Sequence, residues 1–463
     1  EVFRMSYIAW FKELTKDSIP TAGGKGANLA EMYKLGIPVP NGFAITAQCY
    51  QEFVTKTGLQ PKILALLNNL DPENNNQLQK VSEQIQELVV NTPLPHDMAE
   101  EIVDAYGLLG ASKKIASEIV HGKDTFVAVR SSATAEDLPS ASFAGQQATF
   151  LNVIGKDNVL HAVLGCWASL FTARAIYYRQ KNNFEHSKVF ISAIVQKMVN
   201  SEKAGIMFTI NPATNNGNEI VVESIYGLGE MIVGGEVNPD LYIINKFTKD
   251  IAKREIRKQT EGLFRNSVGM NEKLYIPPSL QEKQKITDTQ IKELAAFGEQ
   301  LENHYGLPQD IEWAVEDEKV YIVQTRAITT YKKSSVPTIP AANSPSPTKN
   351  NILLHGETAS AGFYSGIVKV VNNPQELSKI TKGDILVTEM TTPDMVPAMQ
   401  RAGAIITNAG GMTCHAAIVS REMGTPCIVG TEKATHLLKD GQIVTVNATA
   451  AVVYDGRMEA QVS

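Results

Sequence analysis

The stretch Gly410–Gly430 reads GGMTCHAAIVSREMGTPCIVG and carries the strongest local signals in the chain. Two glycines open it, and glycine reaches the positive φ angles that point neighbouring backbone N–H groups into one concavity. The apolar run after His415 predicts a short helix that has Thr413 as its N-cap. Gly424 and Pro426 predict where that helix ends. His415 is therefore predicted to lie in the first turn of the helix, at its positive end.

This position of His415 has chemical consequences. A helix N-terminus disfavours the imidazolium ion and so keeps the ring in its neutral, nucleophilic form. The same N-terminus stabilises an anion, such as a phosphoryl group carried by the ring. For this motif alone, the alternative is a histidine that starts a helix and has no chemical role. The rest of the chain decides between the two interpretations.

Composition limits the classes of protein to be considered. The 463 residues predict two or three domains, and 43% apolar residues are enough for sizeable cores. A net charge of −6 argues against nucleic acid or an anionic membrane as the main partner. The four cysteines show no C-x-x-C spacing, which indicates reduced thiols in a cytoplasmic protein. No apolar run reaches transmembrane length, and the first residues do not resemble a signal peptide.

A glycine turn near the N-terminus contains a lysine. Gly23-Gly24-Lys25-Gly26 precedes a predicted helix that ends near Gly36. A lysine in such a turn can contact a phosphate at the helix start. The spacing of a P-loop is missing, so a simple glycine turn is the alternative.

An arginine ends the next predicted strand. The strand 126–130 finishes at Arg130 and opens onto a loop of small residues, 131–137. The guanidinium fork binds phosphate oxygens in pairs, which suits a triphosphate, whereas a surface salt bridge is the alternative.

The following region predicts a mixed α+β fold. Apolar periodicity indicates one long amphipathic helix at 158–181, with its aromatic side chains in the core. Strands are predicted at 190–199, 204–210 and 220–224, and glycine loops follow them. This alternation is typical of a nucleotide-binding region.

A β-hairpin is predicted around Glu318, where DIEWAV is followed by VYIVQTR. An odd-length turn centred on Glu318 places Glu312 opposite Gln324. The same register places Asp310 opposite Arg326, on the same face. Carboxylate and amide oxygens suit Mg²⁺, which completes its shell with phosphates and water. A one-residue slip would separate these pairs, and a solvated acidic strand is the alternative.

The C-terminal part of the chain predicts a tethered module. Residues 331–350 are rich in Pro, Ser and Lys and predict a flexible linker. The module that follows contains the His415 helix and six predicted short strands, at 367–371, 385–388, 404–407, 427–429, 443–446 and 451–454. A nucleophile on a small tethered domain implies movement between two sites.

Taken together, these residues resemble the phosphoenolpyruvate synthase (pyruvate, water dikinase) family. The resemblance covers essentially the whole chain and rests on the His415 motif, VRSSATAEDLPSASFAGQQ, GLGEMIVGGEVNPD, and DIEWA with IVQTRA. It implies an α+β multidomain fold, with an ATP-grasp-type nucleotide-binding domain of two subdomains at 1–330. The linker at 331–350 then leads to a swivelling β/β/α phosphohistidine domain at 351–463.

Position by position, the resemblance implies that His415 carries a phosphoryl group taken from ATP. It also implies a nucleotide site in which Lys25, Arg130 and Arg326 bind the phosphates. Gly145 and Thr149 would line the glycine-rich strand pair, and Gln196 would meet the adenine. Glu312 and Gln324 would bind Mg²⁺. Thr413 matches a threonine that is a target of regulatory phosphorylation in related dikinases.

Activity and partners follow from the same resemblance. ATP would be cleaved to AMP and phosphate, and the β-phosphoryl group would pass from His415 to pyruvate, giving phosphoenolpyruvate. Family members bind pyruvate on a further barrel domain, which this sequence does not supply, so we expect a fragment or a partner that brings the barrel. The oligomeric state stays open, a homo-oligomer included.

Two other functions fit less well. A dikinase-type enzyme for another acceptor, such as an antibiotic or a glucan, is the second possibility. The antibiotic phosphotransferases of this family carry an acceptor-binding domain between the ATP and histidine domains, where this sequence has only the linker. A phosphohistidine carrier or adaptor would not need a nucleotide site of its own. We therefore expect the ATP half-reaction of phosphoenolpyruvate synthesis.

Overall fold

The computed structural model describes residues 6–68, 70–71, 74–110, 125–134, 148–181, 184–266, 268–328, 352–392, 395–412 and 414–458. The chain is a mixed α/β, multidomain protein that divides into two compact units. Unit 1 contains Glu1–Asn200, Arg265–Glu272 and Tyr321–Thr325, and unit 2 contains Ser201–Phe264, Lys273–Val320 and Arg326–Ser463. The predicted linker at 331–350, Gly145 and Thr413 lie outside the described residues.

Unit 1 combines one antiparallel sheet with a set of helices. The strands are β1 (Ile8–Trp10), β2 (Gly42–Ile45), β3 (Val127–Ala133), β4 (Thr149–Val153) and β5 (Ile191–Lys197). The helices are α1 (Ile19–Lys34), α2 (Ala47–Lys56), α3 (Leu59–Asn68), α4 (Asn75–Val90), α5 (His96–Gly110), α6 (Lys156–Ala168) and α7 (Ala173–Lys181). The sheet order is β1-β2-β5-β3-β4, so the strand that carries Gln196 is central. Its apolar core is built around Trp167, which contacts Phe53 and Tyr50.

The predicted long helix at 158–181 is wrong, because the chain breaks after α6. Thr172 has extended backbone angles (φ −61°, ψ 149°). Its hydroxyl accepts a hydrogen bond from the backbone N–H of Ala175 at 3.3 Å, so Thr172 caps the N-terminus of α7. The interpretation of the aromatic residues as core is confirmed, since Trp167 and Phe171 are buried.

The glycine turn of α1 is a kink rather than a helix start. The helix begins at Ile19, and Gly23 interrupts it with φ +68° and ψ 175°. A Cβ on Gly23 would lie 2.4 Å from the carbonyl oxygen of Ser132, so α1 packs against β3 only because this residue has no side chain. The predicted end of the helix is confirmed by Gly36, at φ +75°.

Unit 2 holds two larger sheets. The strands of this part of the chain are β6 (Lys203–Phe208), β7 (Glu219–Tyr226), β8 (Asp240–Asn245), β9 (Ile251–Glu255), β10 (Glu261–Arg265), β11 (Asn271–Tyr275), β12 (Gln309–Glu316) and β13 (Lys319–Ala327). Most of their residues belong to unit 2, whereas Arg265, the first two residues of β11 and Tyr321–Thr325 of β13 belong to unit 1. The helices of this part are α8 (Glu230–Val233), α9 (Pro278–Gln281) and α10 (Asp288–Tyr305). β10 pairs with β11, and the six-stranded sheet has the order β13-β12-β6-β7-β8-β9.

The second sheet of unit 2 is built by the last hundred residues. Its strands are β14 (Ile352–His355), β15 (Glu357–Ser360), β16 (Phe363–Val371), β17 (Ile385–Thr388), β18 (Ala404–Thr407), β19 (Cys427–Val429), β20 (Ile443–Asn447) and β21 (Val452–Asp455). The helices are α11 (Val396–Arg401), α12 (His415–Met423) and α13 (Ala434–Leu437). Its order is β14-β21-β20-β16-β17-β18-β19-β15, and β16 to β19 run parallel. All six predicted strands are present, whereas β14 and β15 were not predicted.

The hairpin of β12 and β13 forms with a different turn from the one predicted. Two residues, Asp317 and Glu318, join the strands with positive φ angles (49° and 62°), so the turn has an even length. The exposure pattern of β13 then changes phase, because Ile322 and Thr325 are both buried.

Within the described residues, no single helix has the length and apolar composition needed to span a membrane, whereas the bent pair Lys156–Phe171 and Ala173–Lys181 meets these two criteria together.

Replacing Gly23 by alanine tests the contact between α1 and β3. The new Cβ would meet Ser132 backbone at 2.4 Å with φ at +68°, so we expect a loss of about 2 kcal/mol or more in the free energy of unfolding. Gly36→Ala is the matched control, because Gly36 also has a positive φ (+75°) but no atom within 4 Å of an added Cβ. It should cost only about 1 kcal/mol. Urea unfolding followed by circular dichroism measures both, and equal losses would contradict the close packing.

Candidate functional site

His415 is the first residue of α12, as predicted. The N-cap is Cys414 and not Thr413, because the carbonyl oxygen of Cys414 accepts the first helical hydrogen bond, from the N–H of Ile418 at 3.1 Å. The side chain of Cys414 makes no capping hydrogen bond. The N–H groups of the first turn lie at the positive end of this helix.

The predicted end of α12 is confirmed. Gly424 adopts the left-handed conformation at φ 66°, and its N–H donates to the carbonyl oxygen of Arg421. The N–H of Thr425 donates to the carbonyl oxygen of Ser420 at 3.0 Å. The guanidinium of Arg421 turns back to β15, where Nη1 donates to the carbonyl oxygen of Ala359 at 3.0 Å. These contacts fix the short helix on its sheet.

The imidazole of His415 is held on one side by a threonine that the sequence did not single out. Nδ1 of His415 and Oγ1 of Thr391 are 2.8 Å apart, and the Thr391 side chain is buried. Partial burial of His415 lowers the pKa of its ring, which favours the neutral form. When Nδ1 carries the proton and donates to Thr391, Nε2 keeps its lone pair. The neutral nucleophile predicted from the sequence is therefore favoured.

The loop before His415 is held by two side chains from the first part of unit 2. The N–H of Met412 donates to Oε1 of Glu223 at 2.6 Å, and Glu223 is fully buried. The N–H of Gly410 donates to Oδ1 of Asn238 at 2.9 Å. The backbone N–H groups of this loop, which were predicted to point into one concavity, are thus used by Glu223 and Asn238.

The two glycines of this loop are required by close contacts. Gly410 has φ +107°, which only glycine adopts readily. A Cβ on Gly411 would lie 2.5 Å from Oε1 of Glu223 and 2.7 Å from Cγ of Pro239. The double glycine therefore serves the contact between this loop and the β7–β8 region.

A buried ion pair forms a second contact between the two parts of unit 2. Nη2 of Arg257 lies 3.1 Å from Oε1 of Glu357 and 2.9 Å from Oε2 of Glu255. Burial raises the pKa of Glu357 to about 8, and the charge of Glu223 acts in the same direction. Arg257 opposes this rise. The contact thus contains a carboxyl group that holds a proton more tightly than usual.

Part of the predicted metal face is present in unit 2. Nη2 of Arg326 lies 2.8 Å from Oδ2 of Asp310, which confirms their predicted pairing. Glu312 is half-buried on the same strand, and its side chain makes no hydrogen bond or ion pair with the described residues. Gln324 is half-buried and belongs to unit 1. Within the described residues, no group of three or more His, Cys, Asp or Glu side chains is arranged to hold a metal ion.

Unit 1 brings together three of the predicted phosphate and nucleotide residues. Arg130 pairs with Thr149 across β3 and β4. It lies inside β3 and not at its end as predicted, because Ser131 and the next two residues continue the strand. Nζ of Lys25 donates to the carbonyl oxygen of Ser131 at 3.2 Å, so the lysine reaches the neighbour of Arg130. The kink at Gly23 allows this approach.

The remaining predicted residue of unit 1 lies on the central strand. Gln196 is buried and pairs with Ala128 across β3 and β5. Its Nε2 donates to the carbonyl oxygen of Pro40 at 3.3 Å. Gln196 thus lies two strand positions from Ile194, the residue of β5 that pairs with Arg130.

Comparisons with known proteins match two parts of the chain to known families. The family model "Pyruvate phosphate dikinase, AMP/ATP-binding domain" matches residues 19–345, and "PEP-utilising enzyme, mobile domain" matches residues 380–451. The chain is 48% identical to a probable phosphoenolpyruvate synthase of Methanothermobacter thermautotrophicus over 98% of this chain and 64% of the relative. It is 46% identical to the phosphoenolpyruvate synthase of Pyrococcus furiosus over 98% of this chain and 59% of that relative.

The similarity has a defined extent. The chain spans between 58% and 64% of the length of the first three relatives, which include a probable phosphoenolpyruvate synthase of Archaeoglobus fulgidus at 49% identity. Among solved structures, aconitase X of Thermococcus kodakaraensis aligns with 22% of the chain at a TM-score of 0.18, too low to support an argument. The family model that covers residues 19–345 accounts for most of the chain. The chain therefore belongs to the pyruvate phosphate dikinase AMP/ATP-binding family and carries the PEP-utilising mobile domain after it.

Proposed function

We propose that this chain phosphorylates its own His415 with ATP, as the first half-reaction of phosphoenolpyruvate synthesis from pyruvate. In this step ATP, water and the imidazole give AMP, inorganic phosphate and phosphohistidine, with the β-phosphoryl group kept on the ring. The main support is the half-buried His415 at a helix start, held through Nδ1 by Thr391, in a chain with an AMP/ATP-binding domain.

The geometry of the ring supports Nε2 as the nucleophile. Thr391 occupies the Nδ1 side at 2.8 Å, so Nε2 is the nitrogen left to attack phosphorus. A positive helix N-terminus favours both the neutral ring before transfer and the phosphoryl charge after transfer. The proton stays on Nδ1, hydrogen-bonded to Oγ1 of Thr391, while Nε2 attacks, so no separate base is needed.

For the nucleotide we propose an ATP-grasp-type domain at 1–330 with two subdomains. Lys25, Arg130 and Arg326 would neutralise the phosphates, because phosphoryl transfer depends mainly on positioning and charge compensation. Gly145 and Thr149 would line the site, and Gln196 would meet the adenine. The close arrangement of Lys25, Arg130 and Thr149 in unit 1 supports this assignment.

Glu312 and Gln324 are the proposed Mg²⁺ ligands. The donor set fits a nucleotide-bound ion, because Glu312 is half-buried without an ion pair among the described residues, while Asp310 is occupied by Arg326. One carboxylate and one amide leave most of the Mg²⁺ shell to phosphate oxygens and water. When bound, Mg²⁺ would neutralise the charge that develops on the phosphates.

We further propose that 351–463 swivels as a phosphohistidine domain on the linker at 331–350. Among the described residues, its polar contacts with the first part of unit 2 include the bonds of Gly410 and Met412 and the Arg257–Glu357 pair. Met412 also joins an apolar cluster on β6 and β7. Polar contacts exchange readily for water, which suits a domain that docks and leaves.

The second half-reaction completes the proposal. The phosphoryl group on His415 would pass to pyruvate on a barrel domain outside this sequence. Thr413 would be the site of regulatory phosphorylation next to His415. A cytoplasmic location fits the four free cysteines, which form no disulfide in the structure.

Labelled ATP tests this proposal. The chain is incubated with Mg²⁺ and ATP labelled at the β-phosphate, and protein-bound label and AMP are measured. We expect acid-labile, base-stable label on the native chain and none on His415→Ala. His436→Ala is the matched control, because His436 is an exposed histidine of the same module and should keep full labelling.

Two results would count against the proposal. Label on His415→Ala would place the phosphoryl group on another residue. Bound ATP without any labelling of the native chain would exclude autophosphorylation.

The raised pKa of Glu357 predicts a dependence of stability on pH. Because its folded pKa of about 8 exceeds the ordinary value of 4.5, its proton stabilises the folded state at low pH, and this contribution is lost as the pH rises through 8. Glu357→Gln should therefore be more stable than the native chain at pH 9, by about 1 kcal/mol or more, and the difference should shrink towards pH 5.

Urea unfolding between pH 5 and 9 measures this difference. Glu422→Gln, which changes an exposed carboxylate on α12, is the control and should follow the native profile. A difference between Glu357→Gln and the native chain that does not vary with pH would contradict the raised pKa.

A further inference from the structure

Unit 1 contains a buried cation that lies apart from the proposed nucleotide residues. Arg179, on α7, is only 1% exposed. Among the described residues it forms no ion pair, and burial lowers its pKa to about 10. An isolated charge in a protein interior costs several kcal/mol. Such a group normally has an anionic partner.

Most of the hydrogen-bonding capacity of Arg179 is unused. Its Nε donates to Nδ1 of His186 at 2.9 Å, and its Cζ lies 5.5 Å from the ring centroid of Phe171. Nη1 and Nη2 are buried and have no hydrogen-bond partner among the described residues. The two terminal nitrogens of the guanidinium, which suit a carboxylate or another small anion, therefore lack a hydrogen-bond acceptor among the described residues.

The contact with Arg179 fixes the protonation of His186. Since Nδ1 accepts from the guanidinium, the proton of the neutral ring must be on Nε2. Burial and the charge of Arg179 lower the pKa of His186 to about 4, so the ring is neutral near pH 7. Nε2 is also buried and has no partner within the described structure. His186 thus presents a second unused donor.

These groups adjoin a small cavity. Its volume is about 30 Å³, and its wall includes Phe171 and His186, which contact Arg179, as well as Tyr50, whose charge acts on Arg179. Arg179 itself lies behind this wall. None of the described residues that line it is acidic. A space of this size holds one or two water-sized groups and is too small for a nucleotide.

We propose that this cavity binds a small monovalent anion, either a halide or the carboxylate of a small acid. The anion accepts a hydrogen bond from Nε2 of His186 and neutralises Arg179 behind the cavity wall. It ties α7 to the segment that leads into β5, and it stabilises unit 1 by mass action. This site is independent of the proposed phosphorylation of His415.

Thermal unfolding of the full chain tests the site. Bromide and formate are added separately to a chloride-free gluconate buffer at constant ionic strength. We expect at least one of them to raise the Tm in a saturable way, by a few degrees. The more effective of the two shows whether the site prefers a halide or a carboxylate. Neither anion should raise the Tm of Arg179→Met. In gluconate alone this variant should be at least as stable as the native chain, because methionine removes the unpaired charge.

Two further variants complete the test. Arg174→Met, at an exposed arginine of the same helix, should keep the native response. His186→Phe removes the Nε2 donor but keeps Arg179, and it should lose the response even if Arg179→Met fails to fold. Anomalous diffraction from a bromide-soaked crystal should show bromide beside His186. Equal responses in the native chain and His186→Phe, or a cavity without bromide or formate at saturating concentration, would overturn the proposal.

Discussion

The hydrogen bond between the buried carboxylate of Glu223 and the N–H of Met412 sets the conformation of the loop before His415. The carboxylate is fully buried and lies 2.6 Å from the amide nitrogen. A hydrogen bond to a charged acceptor is worth about 1.5–3 kcal/mol, and leaving that acceptor buried without its donor costs at least as much. The conformation of this loop is therefore coupled to β7, because the hydrogen bond joins Met412 directly to Glu223 on that strand.

The chemistry of His415 follows from this restraint. The loop brings the ring to the first position of α12, where the positive helix end and partial burial both favour the neutral imidazole. Thr391 fixes the other side of the ring from a separate loop. Local backbone, burial and one hydroxyl together favour a neutral ring with Nε2 as the nucleophile of the proposed phosphoryl transfer.

Much of this arrangement could be predicted from the sequence, where the signals are local. Gly424 marks the end of α12 because a left-handed C-terminal residue is nearly always glycine or asparagine, and the buried runs of β17 and β18 mark parallel strands. The contact of Asp310 with Arg326 was predicted by period-two reasoning, although that reasoning assumed an odd turn and the turn is even.

Other features could not be predicted because they depend on long-range contacts. Thr391 is 24 residues from His415, and an isolated threonine has no periodic signal. The break at Thr172 was hidden by apolar periodicity that continues across it. Thr413 was a reasonable N-cap from its residue type, yet the helix begins one residue later. The roles of Glu223 and Asn238 appear only when the loop is seen against β7 and β8.

The measurement that most directly tests the role of His415 is ³¹P NMR of the chain after reaction with ATP and Mg²⁺. The chemical shift distinguishes a phosphoryl group on Nε2 from one on Nδ1, and Thr391→Val removes the hydroxyl that occupies the Nδ1 side. We predict a single Nε2-phosphohistidine in the native chain and a slower reaction in Thr391→Val. A phosphoryl group on Nδ1 of His415, or on a different residue, would contradict the proposed mechanism.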